Sequence, residues 1–284
     1  MHRNCLICSR ENFKVIFTEF NIPILKCREC GHICSSYQPP EHYEGYFGEE
    51  TLPGEAEYSY WGKAHFPMYA EFARRYLKNK KGHLLDVGCG LGYFLAQIKE
   101  IPSWELYGCE TSPVAVEYGI KRLGLPHLHQ GSLESAPYPE DFFDVITLWD
   151  VLEHIPQPDT LLKRISTLLK PDGFLFLHTP NAKIQIPKAK LKKTILGMKE
   201  GIHYLEAKDH CHLYTPHTLA ILLKRNGFQE IKMTHLPPIM AVSGNNSSFR
   251  VSMKKGWYYS VKALETLSMG TLNLDNLFCL AKKK

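Results

Sequence analysis

The sequence predicts an α/β fold, in which a three-layer domain built on a seven-stranded sheet follows a small zinc ribbon. Three observations lead to this prediction. Short apolar runs alternate with amphipathic helical segments from residue 84 onward, as in chains that thread strands and helices into one buried sheet. The first of these strands continues through a glycine loop into a helix. Two C-x-x-C pairs lie within the first 30 residues.

Composition limits what this chain can be. It has 284 residues, of which 44% are hydrophobic, and a formal net charge of +5, enough for one α/β domain with an appendage. No run of 18 apolar residues predicts a transmembrane helix. The N-terminus lacks the apolar segment of a signal peptide, so we expect a cytoplasmic protein. The charge is too small for a dedicated nucleic-acid binder, and we expect no specific nucleic-acid partner.

The chain divides into three parts by composition. We predict a zinc ribbon at 1–40, a lid with a leading helix at 41–80, and the main domain at 81–284. The main domain contains a basic insertion at about 183–212 and a second insertion at about 240–272.

The cysteine pairs predict a structural zinc site. Cys5 and Cys8 form one C-x-x-C pair and Cys27 and Cys30 the other; together they supply the four thiolates of a closed tetrahedral site. The segment between the pairs alternates apolar and polar residues around a predicted turn at 21–23. A disulfide pair in a secreted protein and unrelated buried thiols are the competing interpretations. His32 and Cys34 are close enough in sequence to replace a ligand.

Residues 41–62 are rich in Tyr, Gly and Glu, which predicts a loop-rich lid with short helical pieces. Its aromatic residues, Tyr43, Tyr46, Tyr60 and Trp61, are candidates for stacking on a ligand or for packing the ribbon onto the main domain. From residue 63 to residue 78 the apolar period becomes helical.

The glycine loop is the first candidate binding element. Leu84, Leu85 and Val87 form a buried strand interrupted by Asp86, and a helix begins near Tyr93. Glycines between them let the backbone approach a ligand closely. The spacing is G-x-G-x-G without a following Lys-Ser/Thr, which argues against a dinucleotide pyrophosphate and against ATP.

Four blocks in register then resemble the class I S-adenosylmethionine (SAM)-dependent methyltransferases, a Rossmann-like family. They are Asp86 with the loop 88–92, Glu110 at the end of the next strand, the segment 143–148 leading into the D-V-L-E-H of 150–154, and the segment 169–177. The resemblance implies a mixed sheet whose seventh strand is antiparallel, with SAM at its carboxyl edge and the lid above. It implies the following cofactor-binding residues: Asp86, Gly88, Cys89, Gly90, Gly92, Tyr93, Glu110, Thr111, Ser132, Leu133 and Trp149.

Two of these positions carry specific expectations. Glu110 stands 24 residues after Asp86, where a carboxylate can accept hydrogen bonds from both ribose hydroxyls. Ser132 stands where the family often has an acid that binds the adenine amino group. The Ser132 hydroxyl or the Leu133 backbone would have to substitute, and adenine recognition is left open.

Asp150, Glu153 and His154 are the candidate catalytic residues. They follow the fourth strand of the predicted main sheet, at the edge that borders the ligand crevice of such sheets. We expect His154 to act as general base toward an acceptor hydroxyl, oriented by Glu153 or Asp150. In the quinone-pathway O-methyltransferases that this motif resembles, the three positions can hold a divalent cation. A third interpretation is that Glu153 and His154 merely brace the loop.

Beyond Asn181 the sequence no longer follows the pattern of this methyltransferase family. Six lysines precede a histidine cluster, from which we expect His210 or His212 to line the acceptor side. The lysines are either a solvated face or a surface for an anionic substrate or lipid. The amphipathic segment near Trp257 predicts burial against the domain, with peripheral membrane contact as the alternative.

The cysteine spacing, with Gly31 and the prolines after it, also resembles a subset of these methyltransferases in which a zinc ribbon precedes the catalytic domain. Members of this subset often modify sugars, lipids or other small metabolites. We therefore expect methyl transfer to a small-molecule acceptor, with O-methylation of a sugar, lipid or quinone-like metabolite leading. C-methylation of a nucleotide sugar, ribosomal RNA guanine methylation and a non-catalytic SAM-binding zinc adaptor are the alternatives. Oligomeric state is not predicted.

Overall fold

The computed structural model describes residues 4–37, 55–237, 239, 248–267 and 276–284. At 55–63 and in parts of 248–267 it describes the backbone alone. Residues 41–54 of the predicted lid, with Tyr43 and Tyr46, lie outside the described residues, as do the side chains of Tyr60 and Trp61. The parts 240–247 and 268–272 of the predicted C-terminal insertion also lie outside them.

The described secondary structure alternates strands and helices after an all-β beginning. The strands are β1 Phe13–Glu19, β2 Ile22–Cys27, β3 Ile33–Ser35, β4 Gly82–Val87, β5 Trp104–Glu110, β6 Leu128–Gln130, β7 Phe143–Trp149, β8 Leu169–Thr179, β9 His212–Leu213, β10 Phe228–Thr234 and β11 Leu277–Lys283. The α-helices are α1 Glu55–Phe72, α2 Tyr93–Ile98, α3 Pro113–Leu123, α4 Pro158–Leu168, α5 Ala182–Leu196, α6 Pro216–Arg225 and α7 Ser248–Leu267.

The predicted seven-stranded sheet is confirmed. Its order is β10-β11-β8-β7-β4-β5-β6. Neighbouring strands from β8 to β6 are parallel, whereas β11 is antiparallel to both β10 and β8. The strand order reverses beside β4, and ligands of open α/β sheets bind at such a switch point.

Helices cover both faces of this sheet, which makes the three layers. Leu85 and Val87 of β4 face a core completed by α4 and α6. Leu84, one residue away, faces the opposite core, which is completed by α1 and α2. This alternation follows from the two-residue period of a strand.

Several element ends follow from local chemistry. Ser112 accepts a hydrogen bond from the backbone N–H of Ala115, with proline at the next position, and Gly124 ends α3 in the left-handed conformation. Thr215 and Thr218 form a reciprocal capping box at the start of α6.

Two predicted boundaries in the first 80 residues are wrong. The β1–β2 turn lies at Phe20-Asn21, both with positive φ, and not at 21–23, because Glu19 pairs with Ile22 and leaves a two-residue loop. Helix α1 begins at Glu55, eight residues before the predicted helical period at residue 63.

The ribbon is completed by a strand from far along the chain. Strands β1, β2, β3 and β9 form a four-stranded antiparallel sheet in that order. In its last pairing, Cys34 lies opposite His212 and Ile33 opposite Leu213. The ribbon is therefore joined to the main domain by backbone hydrogen bonds.

Helices α5 and α7 each carry several exposed apolar side chains. Helix α5 buries Ala182, Ile186 and Ala189, while Leu191 and Ile195 are 62% and 70% exposed. On α7, Tyr258 and Val261 are buried but Trp257 and Leu264 are exposed, so the burial expected for this segment applies to only one side of the helix. Within the described residues, no helix combines the length and the hydrophobicity that crossing a membrane requires.

Candidate active site

The loop between β4 and α2 requires glycine at two positions. Gly88 has φ of 68°, and a Cβ there would lie 2.7 Å from Cγ2 of Val151. Gly92 has φ of 84°, and its Cβ would lie 2.4 Å from Cδ1 of Leu125. Larger residues are thus excluded by both backbone conformation and space. The loop opens at the carboxyl edge of the sheet, beside the start of α2.

Glu110, at the end of β5, braces this loop. The backbone N–H of Gly90 donates to its Oε2 at 2.9 Å. Its Oε1 accepts hydrogen bonds from the Thr111 hydroxyl at 3.2 Å and from the backbone N–H of Ser112 at 3.0 Å. Each carboxylate oxygen has more than one acceptor position, so the half-buried group retains capacity to accept from a ligand's hydroxyls.

Asp86 is buried behind the loop. Its side chain is 2% exposed, and its Oδ1 accepts a hydrogen bond of 2.6 Å from the Thr147 hydroxyl. Burial raises the pKa of Asp86 to about 8, and the nearby Glu110 carboxylate adds to the shift. A cationic group brought to this loop would favour the ionised carboxylate.

The remaining cofactor candidates differ in exposure. Ser132 is exposed, whereas the Leu133 side chain is 2% exposed. The backbone N–H of Gly131 donates to the carbonyl of Glu110, so this loop lies next to the end of β5. The Tyr93 hydroxyl is 3.4 Å from that of Tyr118.

Trp149 and Cys89 are nearly buried. Trp149 is 8% exposed and packs against Tyr69, Phe72 and Phe94, with ring centroids 4.9, 5.5 and 5.1 Å away. Its Nε1 has no hydrogen-bond partner among the described residues. Cys89 is 9% exposed, and burial holds the pKa of its thiol well above the usual value, so it behaves as a packed neutral thiol.

Asp150 is paired with a histidine that the sequence prediction missed. Its carboxylate lies 3.0 Å from Nδ1 of His178, which is 1% exposed. Nε2 of His178 faces the Asn276 amide nitrogen at 3.1 Å, so the imidazole carries its proton on Nδ1, the nitrogen that lies beside the Asp150 carboxylate. Burial acts to raise the pKa of Asp150, but His178 outweighs it and holds the pKa below its usual value. Asp150 also has φ of 53°, a strained conformation for a non-glycine residue at a ligand edge.

Glu153, His154 and His210 come together beside this pair. Each offers one ligand or proton-accepting atom, and these atoms lie within 4.8 Å of one another. The His154 and His210 ring centroids are 4.7 Å apart. Such a group suits either a proton transfer or a divalent cation, and its members differ from the predicted trio in containing His210 and not Asp150.

The two predicted catalytic groups have opposite pKa shifts. Burial, reinforced by Asp150, raises the pKa of Glu153 to about 7. Neither of its carboxylate oxygens has a partner of normal hydrogen-bond geometry among the described residues, although the nearby Thr179 hydroxyl lowers the pKa somewhat. Burial, helped by His210, lowers the pKa of His154 to about 4.

Hydrogen bonds set the histidine orientations. Nδ1 of His154 lies 3.0 Å from the Asp209 carbonyl, which can only accept, so Nδ1 carries the proton and Nε2 the lone pair. Nε2 of His210 lies 3.1 Å from the Glu206 carboxylate. Burial opposes protonation of His210, but this carboxylate and Glu153 raise its pKa above the usual value.

Of the two histidines predicted to line the acceptor side, His210 lies in this cluster and His212 does not. His212 is buried between the ribbon and residue 156: its Nδ1 lies 3.1 Å from Nε2 of His32 and its Nε2 lies 3.0 Å from the Pro156 carbonyl. No short-range sequence signal indicates His178. It is the next-to-last residue of β8 and comes beside Asp150 only because β8 pairs with β7, where His178 lies opposite Trp149 in register.

The four ribbon cysteines cluster as predicted. Sγ of Cys5 is 3.4 Å from that of Cys30, and Sγ of Cys8 is 3.6 Å from that of Cys27. These distances are too long for a disulfide and close to the edge of about 3.8 Å expected around a tetrahedral zinc with Zn–S of about 2.3 Å.

Backbone hydrogen bonds close the loops around these sulfurs: the Ser9 N–H donates to the Cys5 carbonyl at 2.8 Å, and the Gly31 N–H donates to the Cys27 carbonyl at 3.1 Å. Burial raises the pKa of Cys5 and of Cys30, whereas backbone hydrogen bonds at Cys30 and Glu29 outweigh burial and lower the pKa of Cys27. His32 and Cys34 are outside the four-sulfur cluster. The residues present therefore fit a structural zinc.

Comparison with known proteins gives the following matches. Residues 61–232 match the family described as "Methyltransferase domain". A probable S-adenosylmethionine-dependent methyltransferase of Mycolicibacterium smegmatis is 28% identical over 134 residues, covering 47% of this chain and 51% of that protein. The ubiquinone biosynthesis O-methyltransferase of Aeromonas salmonicida is 29% identical over 176 residues, covering 55% of this chain and 67% of that protein.

Among solved structures, phosphoethanolamine N-methyltransferase 2 of Haemonchus contortus, in complex with S-adenosyl-L-methionine, superposes with a TM-score of 0.54 at 15% identity. The match covers 82% of this chain and 58% of that one, and at this identity it shows the fold alone. The chain spans about half the length of the Mycolicibacterium relative.

Proposed function

Because this chain belongs to the methyltransferase-domain family, we propose that it is a SAM-dependent methyltransferase that methylates a hydroxyl group of a small molecule. The acceptor class that we favour is a sugar, lipid or quinone-like metabolite. The observation that carries the proposal is the cluster of Glu153, His154 and His210 within 4.8 Å at the carboxyl edge of the sheet. A hydroxyl acceptor needs a proton-accepting group at that edge.

The SAM cradle consists of the glycine loop, Asp86 and Glu110. Bound SAM supplies an electrophilic methyl group on a sulfonium whose thioether is a good leaving group. Glu110 accepts hydrogen bonds from the ribose hydroxyls while it holds the Gly90 amide. Buried Asp86 favours a cationic ligand because its carboxylate has only the Thr147 hydroxyl as a described hydrogen-bond donor.

The protein contributes alignment, desolvation and a base. His154 would take the acceptor proton on Nε2, since its Nδ1 donates to the Asp209 carbonyl. A pKa of about 4 makes it a transient carrier, and Glu153, whose pKa is about 7, retains the proton. Asp150 acts through His178, which keeps the carboxylate ionised beside this pair.

The ribbon cysteines hold a structural zinc in this proposal. Four thiolates leave no open position, so the metal supplies folding free energy to the ribbon and takes no part in the chemistry. Metal analysis of the purified protein should find about one zinc per chain. Absence of zinc, with Cys5 and Cys27 alkylated in the folded state, would contradict the site.

Peripheral membrane contact is supported by α5. Between residues 183 and 199 the chain has six lysines and no acidic residue, and Leu191 and Ile195 are exposed on the helix. Lysines flanking exposed apolar groups are typical of interfacial helices. We expect sedimentation with phosphatidylglycerol vesicles, weakened at high salt and by Leu191→Gln with Ile195→Gln. Ile120→Gln, at an exposed position of α3, is the control and should bind like the wild type.

The acceptor is found by incubating the protein and labelled SAM with fractionated cell extract. Label should enter a small-molecule fraction and form an ether that resists mild base. Transfer to ribosomal RNA, with binding that depends on sequence at physiological salt, would favour the RNA alternative. Label on a carbon atom of a nucleotide sugar would favour C-methylation over O-methylation. SAM binding without any methyl transfer would favour the non-catalytic adaptor.

A further inference from the structure

A buried ribbon carboxylate holds a turn of the main domain. Glu19, the last residue of β1, is 2% exposed. Its Oε1 accepts hydrogen bonds from the backbone N–H of Tyr204 at 2.6 Å and of Leu205 at 3.2 Å. Its Oε2 accepts from the N–H of Ala207 at 2.8 Å. Among the described residues Glu19 forms no salt bridge, so these backbone donors are what stabilises the buried group.

A second set of contacts fixes the same turn. The Ser35 hydroxyl donates to the Ala207 carbonyl at 2.5 Å, and the Ser35 N–H donates to the carbonyl of Cys211. The ribbon therefore contacts both ends of the stretch 204–211 before β9 pairs with β3.

That stretch carries one side of the acid–histidine cluster. It contains Glu206 and His210, which pair with each other, and Asp209, whose carbonyl orients His154. The Cys211 thiol donates to the backbone carbonyl of His154 at 3.4 Å. A continuous series of contacts thus leads from Glu19 through the 204–211 turn to His154.

We infer that Glu19 is a positioning residue, through which the ribbon holds His210 and Asp209 against His154 and forms one wall of the acceptor site. A carboxylate suits this role, since its two oxygens can accept all three backbone hydrogen bonds. A glutamine would place an NH2 donor where the Ala207 N–H needs an acceptor. The inference rests on the proposed function only where it calls this region the acceptor site. The positioning of His154 through Glu19 does not depend on that function.

The test compares Glu19→Gln with Glu29→Gln. Glu29 is a second ribbon glutamate, but it is exposed and bonds only to the side chain of Asn12 among its described hydrogen bonds. Amide hydrogen exchange at 204–211 should accelerate about tenfold or more in Glu19→Gln and remain unchanged in Glu29→Gln. Glu19→Asp should fall between these two.

A second readout separates positioning from bulk stability. In the wild type, imidazole nitrogen NMR shifts should show His154 protonated on Nδ1. In Glu19→Gln that signature should weaken toward a mixture of tautomers, while zinc content and SAM affinity by calorimetry stay within about twofold. Neither readout requires turnover, so both are interpretable even if the acceptor proposal fails.

Each outcome of these experiments either supports or rejects the inference about Glu19. A folded Glu19→Gln protein with unchanged exchange at 204–211 and an unchanged His154 signature would overturn the inference and leave Glu19 as an edge contact of the ribbon. If Glu19→Gln does not fold, Ser35→Ala removes a single hydrogen bond to the same turn. It should then give the same changes on a smaller scale, and an unchanged His154 in that variant would equally reject the inference.

Discussion

Replacing Glu110 with alanine should separate cofactor binding from folding more sharply than any other single change. The carboxylate accepts from Gly90 N–H, Ser112 N–H and the Thr111 hydroxyl, and in the proposed complex it also accepts from two ribose hydroxyls. Hydrogen bonds to a charged group contribute about 1.5 to 3 kcal/mol each. Because water partly replaces them at a half-buried site, we expect a loss of about 2 to 4 kcal/mol in SAM binding. This corresponds to a rise in Kd of about 30-fold to 1000-fold.

Isothermal calorimetry with SAM measures this change directly. Glu117→Ala is the matched control, because Glu117 lies on the neighbouring helix α3 and pairs only with Lys121 among its described salt bridges. Thermal unfolding without SAM reports the share of the effect that comes from the lost loop contacts, about 1 to 2 kcal/mol. A Kd for Glu110→Ala within threefold of the wild type would refute the ribose assignment. Binding of NAD in place of SAM by the wild type would refute the cofactor itself.

The other predictions concern protonation, the base and the ribbon. Since the folded-state pKa of Asp86 is about 8, well above its usual value of about 3.9, the folded state retains a proton that the unfolded state loses. The ligand-free protein should therefore lose stability as pH rises from about 4 to 8. In thermal scans, Asp86→Asn should flatten this dependence of the melting temperature on pH. An Asp86→Asn protein with the same pH dependence as the wild type would contradict the prediction. His154→Ala should lower turnover about 100-fold or more while SAM affinity stays intact. His203 is an exposed histidine nearby, and His203→Ala should leave turnover nearly unchanged. Wild-type turnover in His154→Ala would leave the cluster only a structural role. Cys27→Ser, or chelation, should release zinc and lower the melting temperature of the whole chain, not of the ribbon alone, and calorimetry resolving two separate transitions would disagree.

The main sheet was predictable because its signals are local. The strand that ends at Glu110 is decided by residues a few positions apart, and the structure has it as predicted. Asp150, Glu153 and His154 were predicted to lie in one region for the same reason. All three follow one recognisable strand, β7, at the carboxyl edge of the sheet.

What could not be predicted depends on pairing between distant residues. His178 is a partner of Asp150 only because β8 lies beside β7 in one register. His210 and His212 are two positions apart, yet one enters the acid–histidine cluster and the other the ribbon interface, because β9 leaves the basic insertion to pair with β3. No short-range pattern in the insertion indicates that choice. The early start of α1 is a local miss, because its first turns lack a strong apolar period.

The four-stranded ribbon sheet has a consequence for how the protein can be made or divided. During synthesis, β1, β2 and β3 leave the ribosome long before residues 212–213, so the edge of β3 stays without its strand partner until most of the chain exists. An unpaired edge invites association with other chains, and zinc acquired early would protect the nascent hairpin without closing it. The ribbon should therefore resist transplantation as an autonomous module. A fragment that ends before β9 should aggregate. A protein split into two pieces should regain its fold only if the pieces assemble while the edge of β3 is still unpaired.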